Sequence, residues 1–210
     1  MDNKKKAYAV TELLEKRYPE TECGLHWEGN PYHLLIMAIL SAQCTDARVN
    51  IVSKTLFARF PTPYDMAAAE LGDIEEEIRS VGLFRSKARA LKDCCERLCE
   101  VYGGIVPKEM EELLTLRGVG RKVANLLRGD IYGLGGIVAD THCIKISGRL
   151  GFSDGESPLK TERDLEKLIP LEKQSDYCHR MVLFGREICT SRSPKCDECE
   201  LEKYCTYEGK

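Results

Sequence analysis

A chain of 210 residues with 43% hydrophobic and 31% charged residues can bury a sizeable core, which excludes a disulfide-stapled mini-protein, a collagenous chain and a disordered one. The longest apolar run, Leu34 to Leu40, is too short to span a bilayer, and the first six residues lack a secretory apolar stretch, so a cytoplasmic protein without a membrane partner is expected. The net charge of -3 excludes a polyanion partner only if charge is evenly spread, and it is not. Arg85, Lys87, Arg89 and Lys92 form one acid-free stretch and Arg117, Arg121, Lys122 and Arg128 another, while acids gather at 70–77, 109–112 and 198–202. Taken singly, each run also suits a solvated helix face.

Taken in chain order, the elements read as helices. Asn30-Pro31 supplies a cap and a first-turn proline before His33 to Leu40, and Thr45 and Asp46 stand similarly ahead of Val49 to Phe57. Ala88, Leu91, Cys95 and Leu98 make one apolar stripe, and Val119, Val123, Leu126 and Leu127 another. Glu111 to Asn125 reads as helix, tight turn and helix, with Gly118 and Gly120 letting the turn expose amides that favour an anion such as a phosphate. Such a turn can equally be a plain helix connection. The glycines of Tyr132-Gly-Leu-Gly-Gly136 release the chain before it re-enters a helix at Asp140, whose carboxylate is placed to cap it. The expectation is an all-α protein of about ten helices with a domain boundary in this glycine stretch.

Eleven cysteines in an unexported chain point to metal ligands or buried thiols. Cys189, Cys196, Cys199 and Cys205 give C-x6-C-x2-C-x5-C, a density that suits four thiolates around one inorganic centre. Tetrahedral zinc and a cubane iron-sulfur cluster both accept that donor set, but zinc sites usually pair two close knuckles and only one occurs here. The other seven, Cys94, Cys95 and Cys99 among them, read mostly as core.

The cysteine spacing resembles the iron-sulfur signature of the endonuclease III family of DNA glycosylases. Four further segments resemble that family in order: Leu40-Ser-Ala-Gln-Cys-Thr-Asp46, Val81-Gly-Leu-Phe-Arg-Ser-Lys-Ala88, the Leu116-x-Gly118-x-Gly120 hairpin and Val138-Ala-Asp-Thr-His142. The match runs from about residue 5 to Cys205. The resemblance implies a two-domain helix-hairpin-helix fold, with six helices over 23–136 and residues 1–22 plus 137–210 forming a second domain that ends in a cluster loop, and a [4Fe-4S] cluster on Cys189, Cys196, Cys199 and Cys205. It implies phosphate contacts from Gly118, Val119, Gly120 and Arg121, and from Arg192 and Lys195 in the cluster loop.

Lys122, in the first turn after the hairpin, matches the family's nucleophilic lysine, an amine able to attack carbon. Asp140, eighteen residues on, matches its second catalytic residue. Gln43 would bond the orphaned base opposite a flipped nucleotide and Leu83 would be the apolar wedge, with Arg85 beside it as a phosphate contact. His142 would orient Asp140 or contact the backbone, or be a partly buried structural histidine. Arg117 stands where relatives often have proline, and its charge could add a phosphate contact. Lys145 replaces a common arginine.

The implied function is a monomeric base excision repair enzyme. It removes oxidised or damaged pyrimidines from double-stranded DNA and cleaves abasic sites by β-elimination. Rival readings are an adenine-mismatch enzyme, which lacks the lysine, a thymine-mismatch or pyrimidine-dimer enzyme, a non-enzymatic iron-sulfur DNA-binding or redox-sensing module, and a zinc-ribbon adaptor.

Overall fold

The computed structural model describes residues 2–209. Eleven α-helices follow in order: α1 (Asn3–Arg17), α2 (Pro31–Leu40), α3 (Asp46–Arg59), α4 (Pro63–Ala68), α5 (Leu71–Glu77), α6 (Phe84–Tyr102), α7 (Met110–Leu113), α8 (Arg121–Tyr132), α9 (Thr141–Arg149), α10 (Pro158–Glu166) and α11 (Gln174–Glu187). Short 3-10 turns occupy Leu171–Lys173, Cys196–Glu198 and Glu202–Tyr204, and no strand forms among the described residues. No described helix is long and apolar enough to cross a membrane.

The chain divides into two compact units, Cys23–Tyr132 and residues 2–22 with 133–209. The division lies four residues before the expected 136. Gly133 leaves α8 at φ +62°, and the Gly136 amide bonds Gln174 Oε1 at 3.0 Å, so the glycine stretch is tied into the second unit.

In the first unit α2 is the central element. Asn30 caps it by accepting the Tyr32 amide at 3.0 Å, with Pro31 in the first turn. Leu34 to Leu40 are each at most 4% exposed, so this helix is apolar around its whole circumference and must be enclosed. Thr45 caps α3 through the Arg48 amide, and a reciprocal Thr62–Asp65 capping box starts α4. The longest helix, α6, buries Ala88, Leu91, Cys95 and Leu98, the stripe its spacing predicts, and Cys94 beside them. Burial pushes the Cys94 thiol up to about 12, which leaves it a small apolar side chain. Gly103, at φ +61°, ends α6, and the Gly104 amide turns back to Leu98 O at 3.0 Å. This unit holds seven α-helices rather than six because residues 110–113 form a separate single turn.

The second unit joins both chain ends. Ala7, Val10 and Leu14 of α1 bury against a core with Tyr177, Met181 and Phe184 of α11. Arg17 pairs with Glu187 at 2.8 Å and with Glu200, so α1 is bound to the cysteine-rich end.

Candidate functional site

The hairpin is built by one conformationally demanding glycine. Gly118 lies at φ +85°, and a Cβ there would stand 3.0 Å from Ile39 Cγ2 on α2, so both the backbone and the packing require glycine. Val119 closes the turn: its amide donates to Leu116 O at 3.1 Å and its side chain is buried. The Val119 amide is thereby occupied inside the turn. Gly120 has open space around its Cβ position, and its carbonyl accepts the Ala124 amide at 2.9 Å as α8 begins. A first helical turn leaves its opening amides outside the ladder, and the absent side chain leaves room for a ligand to approach them. Arg121 and Lys122 are both exposed in that turn. Arg117, its side chain 60% exposed, pairs with Asp93 on α6 at 2.5 Å.

Three loops of the same unit carry non-glycine residues in the left-handed region, at Glu28, Gln43 and Leu83, and the last two adjoin. Gln43 has φ 54° and Leu83 φ 60°, and both side chains are exposed, Leu83 by 60%. An exposed leucine held in a sparsely populated backbone region has no core to justify it, which is typical of functional positions. Between these two loops, a Cβ on Gly82 would lie 3.7 Å from Gln43 O. Arg85, also exposed, has its guanidinium 5.2 Å from the Phe84 ring centroid.

In the second unit Asp140 caps α9, its Oδ1 accepting the Cys143 amide at 2.7 Å. The cap fixes the carboxylate at a rigid helix end while leaving it half-buried. The His142 ring packs on α11 at Gly185, where a Cβ would stand 2.8 Å from His142 Cγ. That contact turns the imidazole toward α11.

The four clustered cysteines line one small cavity of about 30 Å³ together with Arg149, Lys195 and Tyr207. Successive tight turns set their spacing: Cys199 N to Cys196 O at 3.1 Å, Glu202 N to Cys199 O at 3.1 Å and Cys205 N to Glu202 O at 3.0 Å. Burial, with the neighbouring thiols, pushes the Cys199 thiol up, so holding four thiolates here calls for positive charge in their midst. Arg149 supplies part of it. Its Nη1 donates to Cys189 Sγ at 3.1 Å and to Thr190 O at 3.1 Å, and its guanidinium stands 4.2 Å from the Tyr207 ring centroid. The donor set fits a four-thiolate metal centre. Sequence reasoning missed Arg149, which is forty residues from the cysteine it contacts. Lys145 reaches Ser191 Oγ at 3.4 Å, and Arg192 and Lys195 are exposed on the loop between the first two cysteines.

Comparison with known proteins agrees in both units. The model of the HhH-GPD superfamily of base excision DNA repair proteins matches residues 36–171, and that of the iron-sulfur binding domain of endonuclease III matches residues 189–205. The chain is 42% identical over 203 residues to endonuclease III of Synechocystis sp., covering 96% of this chain and 92% of that one. It is 39% identical over 206 residues to endonuclease III of Bacillus subtilis, covering 98% and 94%. It superposes with TM-score 0.91 and 42% identity on a trapped endonuclease III–DNA covalent intermediate described as an estranged-adenine complex, covering 98% and 97%. A thermostable thymine-DNA glycosylase, 24% identical with TM-score 0.86, shares the fold. With a superfamily match across most of the helical body, an iron-sulfur match over all four clustered cysteines and relatives of this identity over nearly full length, the chain belongs to the endonuclease III family of base excision DNA repair proteins.

Proposed function

We propose that this endonuclease III family member removes damaged pyrimidines from double-stranded DNA and then cleaves the abasic strand through Lys122. The observation that carries the reading is the exposed amine of Lys122 in the first turn of α8, directly after a glycine hairpin suited to holding a phosphate. The amine attacks the anomeric carbon of the flipped nucleotide, and the base leaves as that bond forms. Asp140 stabilises the developing positive charge on the sugar and assists proton transfer. Opening of the sugar gives an imine to Lys122, and loss of an adjacent proton expels the 3′ phosphate. Water then hydrolyses the imine and frees the lysine.

The hairpin backbone at Gly118 and Gly120, with Arg121, Arg85, Arg192 and Lys195, neutralises phosphates, while Gln43 and Leu83 occupy the gap left by the flipped nucleotide. Support for a covalent reaction on DNA comes from the similar structure of an endonuclease III trapped as a covalent intermediate with DNA. In this reading the protein works as a monomer on DNA in the cytoplasm. The decisive experiment incubates the protein with duplexes that each carry one defined lesion. Release of oxidised pyrimidines with strand cleavage is expected, and inertness toward every oxidised pyrimidine and abasic site would remove the reading.

Cys189, Cys196, Cys199 and Cys205 would hold the [4Fe-4S] cluster, which would tie residues 189–205 into one structural piece. Protein purified anaerobically is expected to be brown with about four irons per chain, the content of one cubane. Cys199→Ser is expected to lose most of that iron and to raise hydrogen exchange across residues 189–205, since cluster binding and local folding are coupled. Stoichiometric zinc in the wild type, or unchanged exchange in the iron-free variant, would contradict this.

Binding to undamaged duplex is expected to weaken steeply with salt despite the net charge of -3, because phosphates meet local cations rather than the average. Replacing Arg192 and Lys195 together by alanine is expected to lower the magnitude of the logarithmic salt slope by up to about two. An unchanged slope would take this loop out of the interface.

A further inference from the structure

Lys87 stands out among the basic residues of α6. Its neighbours Arg85 and Arg89 are exposed, whereas Lys87 is only 5% exposed. Its amine donates to Leu40 O at 2.9 Å and to Ala42 O at 2.6 Å, the carbonyls that end α2 and enter the next loop. A cation at the C-terminal end of a helix is favourable, since the last carbonyls lack partners and carry the negative end of the helix dipole. Burying an amine against neutral carbonyls is nevertheless a costly way to end a helix that a glycine or a water could end. Desolvation pulls the Lys87 amine below its ordinary value, as expected for that cost.

What the cost obtains is visible in the two loops. Ala42 is the residue before Gln43, held at φ 54°, and Lys87 lies in the helical turn that Leu83 opens at φ 60°, its amide donating to Leu83 O at 3.0 Å. One side chain therefore spans from the turn carrying Leu83 to the carbonyl next to Gln43. Neither left-handed residue has a glycine's freedom, so each keeps its conformation only where the surroundings over-determine it. We propose that Lys87 is a positioning residue that locks the Gln43 and Leu83 loops into one rigid two-pronged element for filling the space of an extruded nucleotide. The inference rests on the reading of Gln43 and Leu83 given above. Preorganisation lets two exposed side chains enter the duplex together without being ordered at the moment of binding.

The test uses the full protein and a duplex holding an uncleavable tetrahydrofuran abasic analogue opposite 2-aminopurine, whose fluorescence rises when it is unstacked. Anisotropy gives the fraction bound, so the rise is expressed per bound complex, a quantity that mere loss of stability does not alter. Wild type is expected to give a large rise. Gln43→Ala and Leu83→Ala are expected to reduce it. Lys87→Met is expected to lose most of it and to bind this duplex about tenfold more weakly than wild type, a loss of hydrogen-bond size. Should Lys87→Met fail to fold, Lys87→Arg takes its place: the larger planar fork keeps the charge but displaces both loops, so the rise per complex is again expected to fall. A full rise with the Lys87 variant that folds, alongside reduced rises for Gln43→Ala and Leu83→Ala, would overturn the role of Lys87 alone. No rise in wild type, or full rises with both alanine variants, would overturn the wedge reading and the Lys87 inference with it.

Discussion

Borohydride added during turnover is expected to join the wild-type protein covalently to lesion-bearing or abasic duplex, and Lys122→Gln is expected to abolish that adduct. The amine is asked to form the carbon–nitrogen bond and then, as an imine, to accept the electron pair released when the adjacent proton is lost. Glutamine has similar length but can do neither, because its amide nitrogen has no available lone pair. The loss should therefore be complete at the level of the trapped band. Stability should change by less than about 0.5 kcal/mol, since Lys122 is exposed and a substitution at such a surface position rarely costs more. Affinity for an uncleavable abasic duplex should survive, with the salt slope reduced by about one at most, because hairpin amides and other cations still meet phosphate. A trapped adduct from Lys122→Gln, or none from wild type on any oxidised-pyrimidine or abasic duplex, would move the nucleophile elsewhere.

Asp140→Asn should slow base release by roughly a hundredfold or more, the scale of a positioned acid-base or electrostatic group, while leaving substantial lyase activity on preformed abasic DNA. The substitution is informative because of the cap. Asp140 Oδ1 accepts the Cys143 amide at 2.7 Å, a bond that an asparagine carbonyl can also accept. Charge is removed and the helix start is kept. Asp140→Ala removes both and should cost about 1 kcal/mol of stability, the usual value for a lost N-cap. Single-turnover base release and thermal melting on the two variants separate the roles. If Asp140→Asn released base at the wild-type rate, Asp140 would be only a helix cap.

The parts of this protein legible beforehand are those governed by neighbours in sequence. Asn30, Thr45 and Asp140 cap their helices through amides two or three residues on, and the turns that space Cys196, Cys199 and Cys205 close within a few residues. Such bonds depend on short separations, so residue type and position suffice to infer them. The four cysteines and the hairpin glycines were legible for the same reason, as was the family they resemble. The apolar stripe of α6 also followed from periodicity, because one helical face must be buried whatever it packs against.

Other assignments needed the folded chain. Sequence placed Lys87 in an acid-free basic stretch as one of several surface-type cations, and only packing buries it against carbonyls more than forty residues earlier. Arg117 pairs with Asp93, twenty-four residues away, at 2.5 Å while its side chain stays 60% exposed. The Val119 amide read as available to phosphate, yet the turn consumes it. Arg149 meets Cys189 across forty residues, and Gly185 is demanded by His142 across more than forty. The sequence by itself determined the helices, the cysteine set and the candidate nucleophile, whereas the tertiary structure decided which charges are spent inside the protein and which remain for a ligand. The reason is physical: helix starts and tight turns are settled over a few residues of local backbone, while the partner of a long charged side chain depends on which distant surface packing brings within hydrogen-bond reach.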